Sequence, residues 1–379
     1  MFALTEDQRS IVRTARDFAD AHLAPKALEW DQQKHFPVDV FRLAGEIGLG
    51  GVVVEERFGG SGLTRFESVL ITEALATACP SIAAYLSIHN MVAWMIDHFG
   101  DDEQRARWLP GLCSMRDLAS YCLTEADAGS DAGAIRTRAV LDDDHYVING
   151  TKQFISGAGS SRVYLVMART GGADATGLSA FLVDADTEGL SFGPNENKMG
   201  WNAQPTRAVR LDGVRVPVAH RLGEEGAGFA IAMIGLNGGR LNIAACSLGG
   251  GQSALDRAVE YAGRRRAFGS RLADFQALRF RLADMETELE AARTLVRRAA
   301  SALDANDPRA VELCAMAKRF ATDTGFAVAD HALQLHGGYG YLVEYGLEKT
   351  VRDLRVHRIL EGTNEIMRVI VANGLIGAG

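Results

Sequence analysis

The chain has 379 residues, with 40 Lys+Arg against 48 Asp+Glu and a formal charge of −8; at roughly 150 residues per domain this suggests two or three domains. A composition of 47% hydrophobic and 23% charged residues is that of an ordinary globular chain and excludes wholesale disorder, while the acidic balance argues against nucleic-acid binding. Five scattered cysteines without a C-x-x-C pair point to a reducing compartment and no zinc site, and 41 Gly beside 8 Pro suggests backbone lying close to something bulky or tightly packed helices.

From Thr5 to about Leu109 the hydrophobic period is helical. Thr5-Glu-Asp-Gln8 is a capping-box signature, with Ile11, Val12, Ala15, Phe18, Ala19 and His22 on one face. Ser81–Phe99 reads as a helix preceded by Pro80 and stopped by Gly100. Near Asp117 the pattern changes to short runs rich in β-formers: Leu118–Glu125, Arg136–Leu141, His145–Ile148, Val163–Arg169, Leu178–Asp184 and Thr206–Leu211. Asp142-Asp-Asp144, Asn149-Gly150 and Gly171-Gly172 read as the turns between them. After Gly228 long helical segments return, roughly 228–262, 274–303, 308–335, 344–356 and 364–375; Leu278, Leu282, Met285, Leu289, Ala292, Leu295 and Val296 form a bundle stripe. The expected fold is α+β and multidomain: an N-terminal helical domain (1–116), a small central β-barrel or sandwich (117–226) and a C-terminal four-helix bundle (227–379). No apolar run approaches the roughly 20 residues of a membrane span, Gly228–Leu236 included, and the start lacks the shape of a signal or transit peptide. A soluble intracellular protein is expected.

Several stretches invite a chemical reading, each beside a plainer one. Tyr121 to Asp131 leaves a strand into a Gly-containing loop whose Thr124, Ser130 and backbone N–H groups suit polar ring edges or phosphates, or simply turn the chain. Phe154 and Ser156 share a strand face able to stack on and bond a flat cofactor, or to serve as core. Gln334-Leu-His-Gly-Gly-Tyr-Gly340 carries more glycine than one C-cap needs, suggesting close approach to a ligand or another subunit. In Glu361-Gly-Thr-Asn-Glu365 a carboxylate stands on a flexible turn as a candidate base, while Thr363 or Asn364 opens the last helix. The absence of G-x-S-x-G, H-E-x-x-H and strand-led G-x-G-x-x-G motifs counts against common serine hydrolases, zinc peptidases and Rossmann enzymes.

Taken together, these pieces resemble the acyl-CoA dehydrogenase family over essentially the whole chain. Two motifs carry the resemblance: Cys122-Leu-Thr-Glu-x-x-x-Gly-Ser-Asp131, and Gln334 through His336-Gly-Gly-Tyr-Gly340 to Glu344, Lys349 and Asp353. Gly200–Ala208, Gly235–Ile243 and Val351–Glu365 most resemble its isobutyryl-CoA dehydrogenase branch.

The resemblance implies FAD between the β-domain and the C-terminal bundle. Tyr121, Cys122, Leu123, Thr124, Gly129 and Ser130, with Phe154, Ile155 and Ser156, match the flavin-side segments. Arg265, Phe275 and Gln276 match contacts to the cofactor's phosphate and adenine half. Gln334, Leu335, His336, Gly337 and Gly338, with Thr363, Asn364 and Glu365, match further contacts, some across a subunit boundary. Ser130, Asn237, Gly238, Gly239 and Arg240 match positions lining the acyl-CoA, and Gly238-Gly239 suggests room for a branched acyl group. Glu361 matches the base that takes the α-proton of the thioester, the enolate oxygen being met by the backbone N–H of Glu361 and a ribityl hydroxyl of FAD. Some branches carry the base at the position of Gly239; this chain has its acid at 361.

The implied activity is dehydrogenation of a short branched-chain acyl-CoA such as isobutyryl-CoA, as in valine catabolism, with electrons passed to an electron-transferring flavoprotein. A homotetramer is implied, without metal, nucleic acid or membrane, in the bacterial cytoplasm or, for a processed eukaryotic chain, the mitochondrial matrix. Alternatives are a short straight-chain or 2-methylbutyryl-CoA dehydrogenase, an oxidase on the same scaffold, and a non-catalytic helical interaction protein. Two positions depart from the pattern: Ala126 stands where Pro is common, and Asn373 where the nearest branch is basic.

Overall fold

The computed structural model describes residues 3–377. Six helices come first: α1 (Glu6–Phe18), α2 (Ala27–Gln33), α3 (Val38–Glu46), α4 (Arg65–Ala76), α5 (Pro80–Phe99) and α6 (Asp102–Cys113). Three begin with a reciprocal capping box, Thr5/Gln8, Thr64/Glu67 and Asp101/Gln104, which satisfies donors a helix start otherwise leaves orphaned. Pro80 opens α5 and Gly100 closes it, as the sequence predicts.

The central domain contains β1 (Ala119–Cys122), β2 (Arg138–Asp142), β3 (His145–Ser156), β4 (Val163–Arg169), β5 (Leu178–Asp184), β6 (Leu190–Phe192), β7 (Thr206–Pro217) and β8 (Arg221–Leu222). They form one mostly antiparallel sheet in the order β6-β7-β3-β2-β4-β5-β8, with β1 parallel to β4 through Tyr121↔Leu165. Alternation along β4 serves two cores. Tyr164, Val166 and Ala168 pack with Tyr146, Phe181 and Val209 inside the β-domain, while Leu165 and Met167 face Met95 of α5 and Leu109 of α6.

Asn149-Gly150 is no turn. The chain runs straight through it as one strand, with a bulge between Ile148 and Gly150. Gly150 has φ 155°, and a Cβ there would stand 2.8 Å from the Thr137 Cα, so the glycine serves a close strand approach.

The last part is α7 (Gly228–Arg264), α8 (Gln276–Asp304), α9 (Ala310–His336), α10 (Leu347–Arg355) and α11 (Asn364–Ile376), with a two-stranded ribbon, Arg266–Ala267 and Ser270–Arg271, before α8. Met285, Leu289, Ala292 and Val296 of the expected stripe are buried against α7 and α9. Gly251 of α7 meets Gly325 of α9, where a Cβ at 251 would lie 3.1 Å from the Gly325 Cα; glycine here brings two backbones together. One expectation changes: α7 is long and apolar enough to cross a membrane by length and composition. However, 78% of that apolar window is buried inside the protein, which makes it the bundle's core helix.

Candidate active site

After α10 the chain makes one short helical turn, Val356–Arg358, and then enters two left-handed residues, Glu361 (φ 55°) and Gly362 (φ 87°). A non-glycine residue there costs about 1–3 kcal/mol and persists only when its surroundings hold it. Three contacts do so. Arg240 Nε of α7 donates to the Glu361 carbonyl at 3.3 Å, Lys318 Nζ of α9 donates to the Gly362 carbonyl at 2.7 Å, and Thr363 Oγ1 caps α11 by accepting from the Ile366 N–H at 3.2 Å. The Glu361 N–H has no acceptor among the described residues.

Glu361 is partly buried, and its Oε2, enclosed beside Gly239, has no hydrogen-bond partner among the described residues. Burial pushes the carboxyl up to about 7, while the charges of Arg240 and Lys318 draw it back toward the ordinary carboxylate range. Glycine at 239 makes room for it, since a Cβ there would lie 2.8 Å from the Glu361 Cδ. Gly238 likewise yields to the Arg65 guanidinium, whose Cζ would be 2.8 Å away. The space beside the Gly238-Gly239 pair is therefore filled by Glu361 and Arg65; it is not the opening expected for a branched acyl group.

Glu361 lines a cavity of ≈ 1170 Å³ between the sheet and the helices, at or above the size of ordinary small-molecule sites, roughly 300–1,000 Å³. Tyr121 of β1 with Leu123, Thr124, Gly129 and Ser130 after it form one wall; Phe154, Ile155 and Ser156 come from β3; Thr363 and Arg240 complete the side of Glu361. Ile88, Met91, Phe229, Met233 and Leu236 give the α5–α7 side an apolar surface. Phe154 is itself left-handed (φ 60°), within the register shift between Lys152 and Ile155. Simple alternation would turn Ile155 away from Phe154 and Ser156, yet all three residues line the cavity.

The wall after β1 is held from behind by Lys152, which is fully buried on β3. Its Nζ donates to Glu125 Oε1 at 2.7 Å and to the Leu123 carbonyl at 3.0 Å. Glu125 also accepts from the Arg136 and Thr137 N–H groups. Burial pushes the Glu125 carboxyl up, but Lys152 and these donors outweigh it, and the net shift is downward. Trp201 closes another side: its backbone N–H donates to Asp353 Oδ1 at 2.6 Å, and Lys349 Nζ lies 2.6 Å from Asp353 Oδ2. The Lys349 and Asp353 of the second motif thus dock the β-domain onto α10.

The other sequence-predicted residues are placed differently. Cys122 packs into the β-domain core. Asn237 is buried and accepts from Arg240 Nη1 at 2.8 Å. Asn364 lies beneath the Glu361 turn, where Oδ1 accepts from Lys318 at 3.0 Å, and Glu365 is exposed, 3.5 Å from Arg368. A second, more open cavity of ≈ 390 Å³ is lined by Tyr261, Arg265, Gln334, Leu335, His336, Gly337, Gly338 and Tyr339, with His336 stacked on Tyr261 at 4.2 Å. Phe275 and Gln276, at the start of α8, line neither cavity. Sequence reasoning missed Lys152 and Lys318 and singled out Trp201 only within the Gly200–Ala208 resemblance; the signal available for Lys318 was a lysine amid small residues in Cys314-Ala-Met-Ala-Lys318.

The larger cavity fits a flat, polar-edged cofactor. The Thr124, Ser130 and Ser156 side chains line it, the buried Tyr121 hydroxyl has no partner, and a Cβ at Gly129 would meet nothing within 4 Å. At Gly337 and Gly338, in the second cavity, a Cβ would likewise meet open space.

Family models for the N-terminal, middle and C-terminal domains of acyl-CoA dehydrogenase match residues 5–116, 120–214 and 226–376. The chain is 52% identical to mitochondrial isobutyryl-CoA dehydrogenase of Bos taurus and 54% identical to that of Dictyostelium discoideum, covering 98% of this chain and 90% of each relative. The solved structure of butyryl-CoA dehydrogenase from Megasphaera elsdenii superposes with a TM-score of 0.96 at 37% identity, covering 99% of this chain and 100% of that one. With a partly buried carboxylate in a large cavity at the junction of the same three domains, this chain is a flavoprotein oxidoreductase and belongs to the acyl-CoA dehydrogenase family.

Proposed function

We propose that the chain is an FAD-dependent dehydrogenase of short branched-chain acyl-CoA esters, with isobutyryl-CoA as the preferred class, working as a homotetramer and passing electrons to an electron-transferring flavoprotein. The observation that carries this reading is Glu361: a partly buried carboxylate that lines the cavity, raised to about 7 by burial, with no hydrogen-bond partner on Oε2 among the described residues. Such a group removes a weakly acidic α-proton far better than a solvated carboxylate does.

Bound FAD supplies acceptance of the β-hydrogen as hydride. The chain supplies the rest. Thr124, Ser130, Phe154 and Ser156 would hold the flavin against the wall after β1, and the apolar α5–α7 side would take the acyl group. Glu361 would take the α-proton on the carboxylate oxygen turned away from Gly239, and its N–H, without an acceptor among the described residues, would meet the enolate oxygen as charge develops. Arg240 fixes the backbone of the base through its carbonyl. The second cavity, with its Tyr261–His336 stack, would hold the adenine half of the cofactor of a neighbouring subunit.

The test is anaerobic bleaching of the yellow protein by isobutyryl-, 2-methylbutyryl-, isovaleryl-, butyryl- and octanoyl-CoA. Fastest bleaching by isobutyryl-CoA, with slow re-oxidation in air and rapid turnover with a one-electron acceptor, is expected. Preference for octanoyl-CoA overturns the substrate assignment, fast re-oxidation by oxygen overturns the dehydrogenase reading in favour of an oxidase, and no bleaching overturns both.

A further inference from the structure

Lys318 is fully buried in α9, among Cys314, Ala315, Ala317 and Ala321. Removing an ammonium from water costs several kcal/mol unless it is well compensated. Yet among the described residues no carboxylate oxygen lies within 4 Å of its Nζ; its acceptors are the Gly362 carbonyl at 2.7 Å and Asn364 Oδ1 at 3.0 Å. Asn364 is fixed in turn, its Nδ2 donating to Thr322 Oγ1 and Asp323 Oδ1, each at 3.0 Å. The buried cation is thus aimed at the residue that follows Glu361.

We propose that Lys318 is a positioning residue for the base: its ammonium clamps the Gly362 carbonyl and Asn364, holds Glu361 in its left-handed turn, and faces the carboxylate with a positive charge. The inference rests on Glu361 being the base, as proposed above. Glu361 feels Arg240 from α7 and Lys318 from α9, and its charge reaches Tyr121 on β1. Lys318 feels Glu361, Arg240, Asp323 and Glu365, and the Cys314 thiol feels Arg240 and Arg65. Burial pulls Lys318 down to about 7, and the negative charge of Glu361 opposes that pull. Without the ammonium, Arg240 alone opposes the burial of Glu361 and the carboxyl moves further up.

The experiment uses Lys318→Met as the FAD-loaded protein. Bleaching by isobutyryl-CoA at pH 7 is expected to slow by roughly 10- to 100-fold through misplacement of the base, with acyl-CoA affinity little changed. The midpoint of the rising limb of the rate–pH profile should move up by roughly one unit. A rate and profile matching the parent overturn the proposal.

A second readout needs no turnover: the difference in melting temperature between each protein and its Glu361→Gln derivative, followed against pH. The folded value of Glu361 is raised, so the folded state keeps the proton; the parent therefore loses stability relative to Glu361→Gln between about 4.5 and about 7. In the Lys318→Met background that loss should continue to higher pH, and superimposable curves overturn the proposal. If Lys318→Met does not fold, Asn364→Leu loosens the same clamp; a smaller movement of both readouts supports the proposal and parent-like behaviour in both overturns it. Should no acyl-CoA bleach the parent, the proposed function fails while the melting comparison still judges Lys318.

Discussion

Glu361 combines two states that a side chain ordinarily avoids, a left-handed backbone and a buried, unpartnered carboxylate oxygen. Both would be liabilities in a structural residue; in a base, strain fixes direction and desolvation raises basicity. Glu361→Gln keeps the shape and removes the proton acceptor, so the protein should stay folded and yellow while bleaching by acyl-CoA slows by roughly 10²–10⁴-fold. In the parent, bleaching should rise with pH through about 7 as the carboxylate ionises, and bleaching of Glu361→Gln at the parent's rate would refute the assignment. Gly239→Ala tests the neighbouring space. A Cβ there would lie 2.8 Å from the Glu361 Cδ, so the carboxylate must turn away. A displacement near 1 Å slows catalysis by roughly 100-fold; stopped-flow bleaching measures it, and an unchanged rate would mean the two groups do not compete for space.

At the scale of elements, the cavity wall after β1 depends on a strand behind it. Lys152 and Glu125 form a buried pair, and Lys152→Met leaves Glu125 facing an apolar partner. Breaking such a pair from one side costs about 3–5 kcal/mol, to be read from chemical denaturation, and the loosened Leu123–Ser130 segment should also bind FAD more weakly. A loss under 1 kcal/mol would mean that the backbone donors from Arg136 and Thr137 suffice. Limits of two helices were legible because their signals are local: Thr5 meets Gln8 three residues on, and Pro80 and Gly100 bracket α5, whereas the equally local boxes at Thr64 and Asp101 went unread. Strands were less legible. Gly150 and Phe154 carry bulges that interrupt alternation, so β3 read as separate pieces, with Asn149-Gly150 mistaken for a turn. The Glu361 turn could be read through its resemblance and its flexible glycine. Its supports could not, because Arg240 and Lys318 reach it from 121 and 44 residues away along the chain, and no local period records such a meeting.

At the scale of the whole molecule, most of the expected cofactor residues divide between two cavities. Tyr121, Leu123, Thr124, Gly129, Ser130, Phe154 to Ser156 and Thr363 line the one containing Glu361, Arg265 and Gln334 to Gly338 line the other, and Cys122, Phe275, Gln276, Asn364 and Glu365 line neither. Under the proposed function, one extended dinucleotide touching both sets within an assembly would account for this division, each flavin-side cavity being completed by a neighbour's second cavity. The isolated chain also leaves Phe268, Tyr341, Leu375 and Ile376 strongly exposed, at 97%, 80%, 72% and 83%, and apolar groups so exposed favour association when they cluster. Gly338→Phe separates assembly from folding. A Cβ at Gly338 meets nothing within 4 Å of its own chain, so the subunit should fold with an unchanged circular dichroism spectrum. The added ring would occupy the second cavity beside Gln334 and His336, where a partner's cofactor should lie. The purified variant should therefore carry markedly less FAD per chain, by flavin absorbance, and run at a lower mass in light scattering, with both losses partly reversed by excess FAD. Full flavin content at the parent's mass would show that the second cavity takes no part in holding the cofactor and that each chain holds its own.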